Sequence, residues 1–198
     1  MIISEDLLLA YGAEYANYAA NDTIIQEGTT PKFYIQIVTG TVELTNYHED
    51  GKEFTQNILS NGQSVGESLL FNGKPYPMNA IAKTQCKVLK LCKEDFYSLL
   101  KGNTDVLFNM FHCLADRLYY KYHMLFSMSN SDPSAKIKTT LDYIKEYNSI
   151  DHSQTFQVPL TRQQIANITG LRVETVIRTI KKMEKEKVVK IERGKILY

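Results

Sequence analysis

Two side chains of opposite charge, Glu174 and Arg178, stand four residues apart in the stretch LTRQQIANITGLRVETVIRTIKKM, residues 160–183. Residues at this spacing lie on one face of a helix, so the carboxylate and the guanidinium would point the same way. An arginine can donate two hydrogen bonds to guanine, and a glutamate can accept one from the amino group of cytosine. The same residues can equally form a surface ion pair, so the surrounding elements must decide between the alternatives.

Local signals place this pair in the second of two short helices. Pro159 cannot lie inside a helix, and Thr161 with Gln164 fits a capping box that starts one. Gly170 can adopt the left-handed conformation that ends that helix. The apolar residues that follow recur at steps of three and four, which predicts a second helix with one apolar stripe: Val173, Val176, Ile180 and Met183.

Two helices joined by a short glycine turn are typical of the helix-turn-helix, whose second helix enters the major groove of DNA. The last residues, KVVKIERGKILY, predict two short strands around Arg193 and Gly194, as in the wing of a winged helix. Ile177 can contact a thymine methyl group or pack within the protein, whereas Arg162 and Lys181 are expected at phosphates. The candidate DNA-binding residues are Arg162, Gln163, Arg172, Glu174, Thr175, Ile177, Arg178 and Lys181.

The composition is that of a globular protein of one or two domains, with 198 residues, 43% hydrophobic and 23% charged. No run of 18 apolar residues occurs, and the start MIISEDLLLAYGAEY lacks the basic region of a secretory signal. We therefore expect a cytoplasmic protein without membrane contact. The cysteines Cys86, Cys92 and Cys113 form no C-x-x-C pair, so no metal site is expected.

The net charge of +1 conceals an uneven distribution. From Ser134 onward, 13 of the 23 basic residues stand against 7 of the 22 acidic ones, which gives +6. The preceding part holds the other 10 basic and 15 acidic residues and carries −5. This asymmetry indicates that only the C-terminal part meets a polyanion such as DNA.

The N-terminal half has the character of an antiparallel sheet after a lead-in, residues 1 to about 20, that is expected to be helical. Four glycines between residues 28 and 62 recur at steps of 11 or 12, and alternating runs such as FYIQIV and TVELTNY separate them. Asp-Gly in EDGK and Asn-Gly in SNGQ are strong hairpin signals. Short strands at this spacing predict an antiparallel sandwich or jelly roll.

A stretch without glycine or proline, from Thr104 to about Met128, predicts a helix of about 25 residues and ~37 Å. Its aromatic residues extend the apolar surface over more than one face. One face can cover the sheet, and the other then needs a partner, for which a second copy of the helix is the simplest. The alternative is a helix buried within one chain. After a hinge, SNSDPSA, Pro133 is expected to open the next helix. The residues expected at a dimer contact are Leu114, Leu118 and Leu125.

A β-roll, a long helix and a winged helix-turn-helix in this order resemble the Crp/Fnr family of bacterial transcription regulators. The resemblance lies in TIIQEG, YIQIVTGTVEL, EDGKEF, NGQSVGESLLF, AKTQCKVLKL and LTRQQIANITGLRVETVIRTIKKMEKEKVV. It implies an α+β protein with an antiparallel, cyclic-nucleotide-binding-like β-roll in residues 1–102, a dimerisation helix and hinge in 103–130, and a DNA-binding domain in 131–198. It also implies a homodimer that binds double-stranded DNA and a small-molecule effector and that can contact RNA polymerase.

By the same resemblance, Glu174 and Arg178 occupy the two positions that read a TGA core in each half-site. Other positions depart from the family. The residue before Arg178 is Ile177, where the iron–sulfur branch has serine. The residue before Glu174 is Val173, where the cyclic-AMP branch has arginine. We therefore expect a palindrome of TGA-like half-sites whose outer bases differ from those of either branch.

The resemblance further implies an effector pocket in the roll. Gly66 and Glu67 match a Gly-Glu pair with which cyclic-AMP-binding members hold the ribose. Where those members clamp the phosphate with Arg-Ser, this chain has Tyr76-Pro77, and residues 53–116 contain no arginine. A buried phosphate needs a charged hydrogen-bond partner, for which Lys74 is the only nearby candidate, so control by cyclic AMP is not expected and the effector stays unassigned. The candidate pocket residues, whose aromatic members core packing explains equally well, are Gly66, Glu67, Tyr76, Met78, Asn79, Lys121 and Tyr122.

Two other classes of function are compatible with a β-roll. A cupin-type dioxygenase needs clustered histidines and a carboxylate on adjacent strands, and the roll contains only His48. A cyclic-nucleotide-binding signalling module would not need the helix-turn-helix, so we expect a DNA-binding regulator and no enzyme. An iron–sulfur cluster and haem are not expected, because no cysteine precedes Cys86 and the histidines are scattered: His48, His112, His123 and His152.

Overall fold

The computed structural model describes residues 2–147 and 155–198, so His152 lies outside the described residues. The chain divides into two compact units, Met1–Asp116 and Arg117–Tyr198, and the long helix begins in the first and ends in the second. Among the described residues, no helix combines the length and the apolar character needed to cross a membrane.

The first unit is built on two antiparallel sheets, which confirms the predicted roll. One sheet has the strand order β1-β7-β3 and the other β2-β6-β4-β5, so sequence neighbours are often separated in space. The strands are β1 Glu14–Tyr18, β2 Thr23–Ile25, β3 Phe33–Thr39, β4 Val42–Tyr47, β5 Glu53–Leu59, β6 Asn79–Ala82 and β7 Cys86–Cys92.

The expected helical lead-in is wrong beyond its first turns. Helix α1 covers only Glu5–Ala10, with Ser4 as its N-cap, and residues 14–18 form β1. Strand β1 pairs with β7, whose residues lie 68 or more positions further along the chain than their partners, in a register that sets Ala16 opposite Val88. The strand therefore depends on a distant partner, which the weakly alternating sequence EYANY does not reveal.

Two apolar clusters flank the sheet β1-β7-β3. The inner core lies between the sheets and includes Ile37, Val42, Leu59 and Val88. The outer cluster forms under α1, α3 (Lys93–Gly102) and the start of α4 (Thr104–Ser129), where the rings of Tyr34 and Phe96 stack 4.5 Å apart. Strand β7 belongs to both clusters because successive side chains point to opposite faces.

Between the long helix and the winged helix, Asp132 caps helix α5, Pro133–Tyr147. Its carboxylate oxygens accept hydrogen bonds from the backbone N–H groups of Ser134 and Ala135, each at 3.2 Å. Pro133 takes the first helical position, as its sequence context predicts.

The rest of the second unit is a three-helix core with a hairpin. Helices α5, α6 (Arg162–Thr169) and α7 (Val173–Lys185) enclose Ile137, Leu141, Ile165 and Val176, all fully buried. Strands β8 (Lys190–Glu192) and β9 (Lys195–Leu197) form the predicted hairpin. The winged helix-turn-helix is therefore confirmed.

Candidate nucleic-acid interface and effector roll

The turn between α6 and α7 has the local geometry that its sequence predicts. Thr161 Oγ1 accepts a hydrogen bond from the Gln164 N–H at 3.1 Å, and Gln164 Oε1 accepts one from the Thr161 N–H at 3.0 Å. At the other end of α6, Gly170 has φ +69°, in the left-handed region. These terminal residues fix where α7 begins, which in turn sets the direction of its side chains.

Helix α7 separates a buried stripe from an exposed polar face. Val176, Ile180 and Met183 are buried in the core of the second unit, and Val173 packs against its edge. On the opposite side, Glu174, Arg178 and Lys181 are exposed and Thr175 is half-buried, and the exposed Arg172 is the N-cap that precedes the helix. The candidate DNA-binding residues within α7 therefore share one surface of that helix.

Glu174 and Arg178 are exposed without being bonded to each other. Within residues 2–147 and 155–198, neither side chain forms an ion pair or a side-chain hydrogen bond. The ion-pair alternative for these residues therefore has no support in the structure. Ile177 lies next to Arg178 and is 42% exposed, so it is not a core residue of its own unit.

The wing is attached to the start of α6 by an arginine. Arg162 Nη1 donates a hydrogen bond to the carbonyl oxygen of Gly194 in the hairpin turn. In that turn Arg193 and Gly194 both have positive φ, +46° and +79°, as in the two-residue turns that suit hairpins. Gln163 Nε2 donates to Asn167 Oδ1 at 2.8 Å within α6. Sequence reasoning missed the link to the wing, because residues 32 apart carry no local signal.

The exposed turn and strands of the wing add positive charge to this region of the second unit. Arg193 stands at the turn, with Lys190 and Lys195 exposed on the two strands. Lys190 Nζ forms an ion pair with Glu192, whereas Arg193 and Lys195 form no ion pair with any of the described residues. Cations of this kind suit phosphate contacts.

In the roll, Gly66 and Tyr76 are in direct contact. Gly66 has φ +68°, and a Cβ atom on it would lie 2.6 Å from Tyr76 Cε1 and 3.2 Å from Ile25 Cδ1. Tyr76 and Met78 are each only 5% exposed and belong to the inner core. Glu67 is fully buried, and burial together with the charge of Glu67 raises the pKa of Tyr76 to about 12.

Asn79 belongs to a polar network that sequence reasoning did not identify. Its Oδ1 accepts from the Glu27 N–H at 3.0 Å, and Asn46 Nδ2 donates to Glu27 Oε2 at 3.2 Å and to the Pro77 carbonyl at 2.7 Å. Gln56 Nε2 donates to Asn46 Oδ1 at 2.6 Å. Four strands or their ends are joined in this way at one edge of the roll.

The other two candidate pocket residues, Lys121 and Tyr122, belong to the second unit and not to the roll. Both are exposed, with Tyr122 at 60%. The structure thus brings together Gly66, Glu67, Tyr76 and Met78 in the first unit. Lys121 and Tyr122 lie on the part of α4 that belongs to the second unit.

Helix α4 carries large apolar side chains on its exposed side. Leu114 is half-buried and packs against the outer cluster of the first unit, whereas Leu118 is 51% and Leu125 66% exposed. Steps of seven, four and three along the helix place four exposed residues on one narrow face, which we call the α4 stripe: Phe111, Leu118, Tyr122 and Leu125. Of the three leucines expected at a dimer contact, Leu114 is thus already partly buried by contacts within its own unit, and Leu118 and Leu125 remain exposed.

In the part of the chain that the structure describes, no three His, Cys, Asp or Glu residues are grouped so that they could hold a metal ion. His48 and His112 are exposed, and the ring of His123 lies edge-on to Tyr119, with 4.4 Å between centroids.

The fold and these surfaces define a winged helix-turn-helix DNA-binding protein with a β-roll of the cyclic-nucleotide-binding type. A family model described as a cyclic nucleotide-binding domain matches residues 15–103, and one described as a Crp-like helix-turn-helix domain matches residues 137–198. The chain belongs to the Crp/Fnr family of DNA-binding transcription regulators.

Relatives of known function agree with this assignment. The cAMP-activated global transcriptional regulator CRP of Salmonella typhimurium is 29% identical over 174 residues, which cover 87% of this chain and 83% of that protein. The cAMP-activated global transcriptional regulator Vfr of Pseudomonas aeruginosa is 28% identical over 197 residues, with 97% and 91% covered.

Solved structures show the same fold at lower identity. The c-di-GMP responsive global regulator CLP of Xanthomonas campestris aligns with a TM-score of 0.77 at 20% identity, covering 96% of this chain and 95% of CLP. FixK2 of Bradyrhizobium japonicum aligns with a TM-score of 0.75 at 18% identity, covering 93% and 91%.

Proposed function

We propose that this chain is a homodimeric regulator that reads TGA-like half-sites with α7 and is not controlled by cyclic AMP. The observation that carries the proposal is the exposed pair Glu174 and Arg178, which have no side-chain bonds of their own among the described residues. In this proposal the chain has three functional parts: an effector-type roll in residues 1–102, a dimerisation helix and hinge in 103–130, and a DNA-binding domain in 131–198. The protein acts in the cytoplasm, and contact with RNA polymerase belongs to the same proposal.

The chemistry of the pair supports reading of specific bases. Arg178 can donate two parallel hydrogen bonds to the O6 and N7 acceptors of guanine, and Glu174, one helical turn earlier, can accept from a cytosine amino group. Ile177, exposed beside them, offers its side chain to a thymine methyl group. Arg172 and Lys181, exposed on the same helix, are suited to the flanking phosphates, where contacts fix the register.

The α4 stripe supports the homodimer. Its four large side chains, three of them wholly apolar, expose between 51% and 66% of their surfaces. Large contiguous apolar surfaces on a soluble protein mark interaction sites, and a two-fold axis lets one such face cover itself. A two-fold dimer would present two recognition helices to successive major grooves, ~34 Å apart.

The absence of cyclic-AMP control rests on charge. The relatives CRP and Vfr are described as cAMP-activated. In this chain the roll has no arginine in residues 53–116, and Tyr76-Pro77 stands where cyclic-AMP-binding members have Arg-Ser. Losing the charged partner of a buried phosphate costs several kcal/mol, and each ~1.4 kcal/mol is about tenfold in affinity.

The decisive experiment compares two variants of the recognition helix on selected and random DNA. A preferred site is first obtained by selection from random oligonucleotides, run with and without cell extract. Arg178→Ala should then cost ~1–3 kcal/mol on the selected site and relax the preference at the guanine. Lys181→Ala is the matched control and should weaken all sequences alike. If Arg178→Ala lowers binding to selected and random DNA by the same factor, Arg178 contacts only phosphates and the proposed reading is wrong.

A further inference from the structure

The Tyr76 ring lies on the surface that the family resemblance assigns to an effector. Its Cε1 atom is so close to Gly66 that a Cβ atom there would be 2.6 Å away, closer than real Cβ contacts allow. The side chain is 5% exposed and packs with Ile25 and Met78 in the inner core. The ring is therefore part of the packed interior and touches the backbone beside Glu67.

The backbone on both sides of the ring is held in place. The Tyr76 N–H donates to the Thr29 carbonyl at 3.0 Å, and the Tyr76 carbonyl accepts from the Gly28 N–H at 2.8 Å. The following residue is fixed as well, since the Pro77 carbonyl accepts from Asn46 Nδ2 at 2.7 Å. These three hydrogen bonds fix the backbone from which the ring projects, so the ring can move only by rotation of its own side chain.

We propose that Tyr76 is a specificity-determining residue that fills the cradle over Gly66 and Glu67 from within the chain and thereby excludes cyclic nucleotides. The ring takes the volume that a ligand would need against the Gly66 backbone. A ligand can enter only by displacing a buried aromatic side chain and the packing that goes with it. This inference deepens the proposed function, because it adds a steric reason to the missing arginine.

The electrostatics of the cradle support a neutral occupant. Glu67 is fully buried beside the ring, and the roll has no arginine within residues 53–116 to balance an entering phosphate. Burial and the charge of Glu67 raise the pKa of the Tyr76 phenol to about 12, so the hydroxyl keeps its proton at physiological pH. The neutral phenol needs no counter-charge, whereas an entering phosphate would find no arginine in residues 53–116.

The test removes the phenol ring by the substitution Tyr76→Ala and then adds 4-methylphenol, which has the same ring as the tyrosine side chain. Tyr76→Ala should leave an apolar cavity, and 4-methylphenol should bind it one-to-one with at least ~tenfold higher affinity than it binds the wild-type chain. Binding measured by calorimetry should be accompanied by a rise in the melting temperature of Tyr76→Ala. Tyr47→Ala, which removes a 56% exposed tyrosine from the same unit, is the matched control and should bind no 4-methylphenol.

A second measurement on the wild-type chain keeps the inference testable if Tyr76→Ala does not fold. Under nitration by tetranitromethane followed by mass spectrometry, Tyr47 should react and Tyr76 should be protected. Nitration of Tyr76 as fast as Tyr47, or a folded Tyr76→Ala that does not bind 4-methylphenol, would overturn the filled cradle. Micromolar binding of cyclic AMP by the wild-type chain would overturn both the exclusion by Tyr76 and the proposed lack of cyclic-AMP control. Free nitration of Tyr76 in a chain that does not bind cyclic AMP would overturn the filled cradle alone, so the two failures are distinguishable.

Discussion

Leu125 offers a quantitative test of the proposed homodimer. It lies at the end of the α4 stripe and exposes 66% of its surface, more than any other leucine of the stripe. If the stripe meets its copy across a two-fold axis, each substitution acts twice in one dimer. Leu125→Ala should therefore weaken association without disturbing the core of either unit.

The size of the effect follows from the exposed fraction. Complete burial of a leucine side chain is worth ~1.5–3 kcal/mol, so burying the remaining two thirds contributes ~1–2 kcal/mol. Two copies give ~2–4 kcal/mol per dimer. Since each ~1.4 kcal/mol is a factor of ten, the dissociation constant of the dimer should rise by ~30- to 1000-fold.

Sedimentation equilibrium over a series of protein concentrations measures this constant directly. Leu9→Ala is the matched control, because Leu9 is a 40% exposed leucine on α1 and outside the stripe. It should leave the dissociation constant unchanged. Equal association of wild type and Leu125→Ala, or a wild-type chain that is monomeric at micromolar concentration, would refute the dimer through the α4 stripe.

Three further predictions concern the second unit and the roll. Arg162→Ala should weaken binding to all DNA sequences alike; a salt slope reduced by ~1 identifies a phosphate contact, whereas an unchanged slope shows that Arg162 acts only by holding the wing. Thr161→Ala removes the capping box and should lower the free energy of unfolding by ~1 kcal/mol in urea titrations, whereas no loss would contradict the cap. The raised pKa of Tyr76 means that the folded chain holds the phenol proton more tightly than the unfolded chain does. This contribution to the free energy of unfolding is fully present below pH ~10 and is lost as the pH rises through about 12. Tyr76→Phe should lose less stability over this range and show one late-titrating tyrosine fewer by ultraviolet absorbance; an identical titration would contradict the shift.

The helix-turn-helix was predictable because its signals are local. The capping box of Thr161 and Gln164 spans three residues, and Gly170 needs only its own conformation to end α6. The stripe of α7 follows from helical periodicity alone. Each of these features is determined within one or two turns of chain, where residue type and spacing carry most of the information.

Features that depend on distant partners were not predictable. Strand β1 exists because β7 offers it an edge, and the link from Arg162 to Gly194 joins residues 32 apart. The same limit applies to α4, where the sequence shows apolar residues on several faces. Only the packing within each unit distinguishes Leu114, which the first unit half-buries, from Leu125, which the second unit leaves exposed.

The exposed pair on α7 explains how a small contact surface could discriminate strongly. Because Glu174 and Arg178 are not bonded to each other, DNA would have to supply the partner of each charge in the proposed complex, where the groove desolvates both. On the correct base pairs these partners are present. On a wrong base pair at least one charge is buried without a partner, at a cost of ~1–3 kcal/mol or more. A preformed ion pair would satisfy both charges on any sequence, so the absence of that bond favours specificity through the penalty on wrong sites.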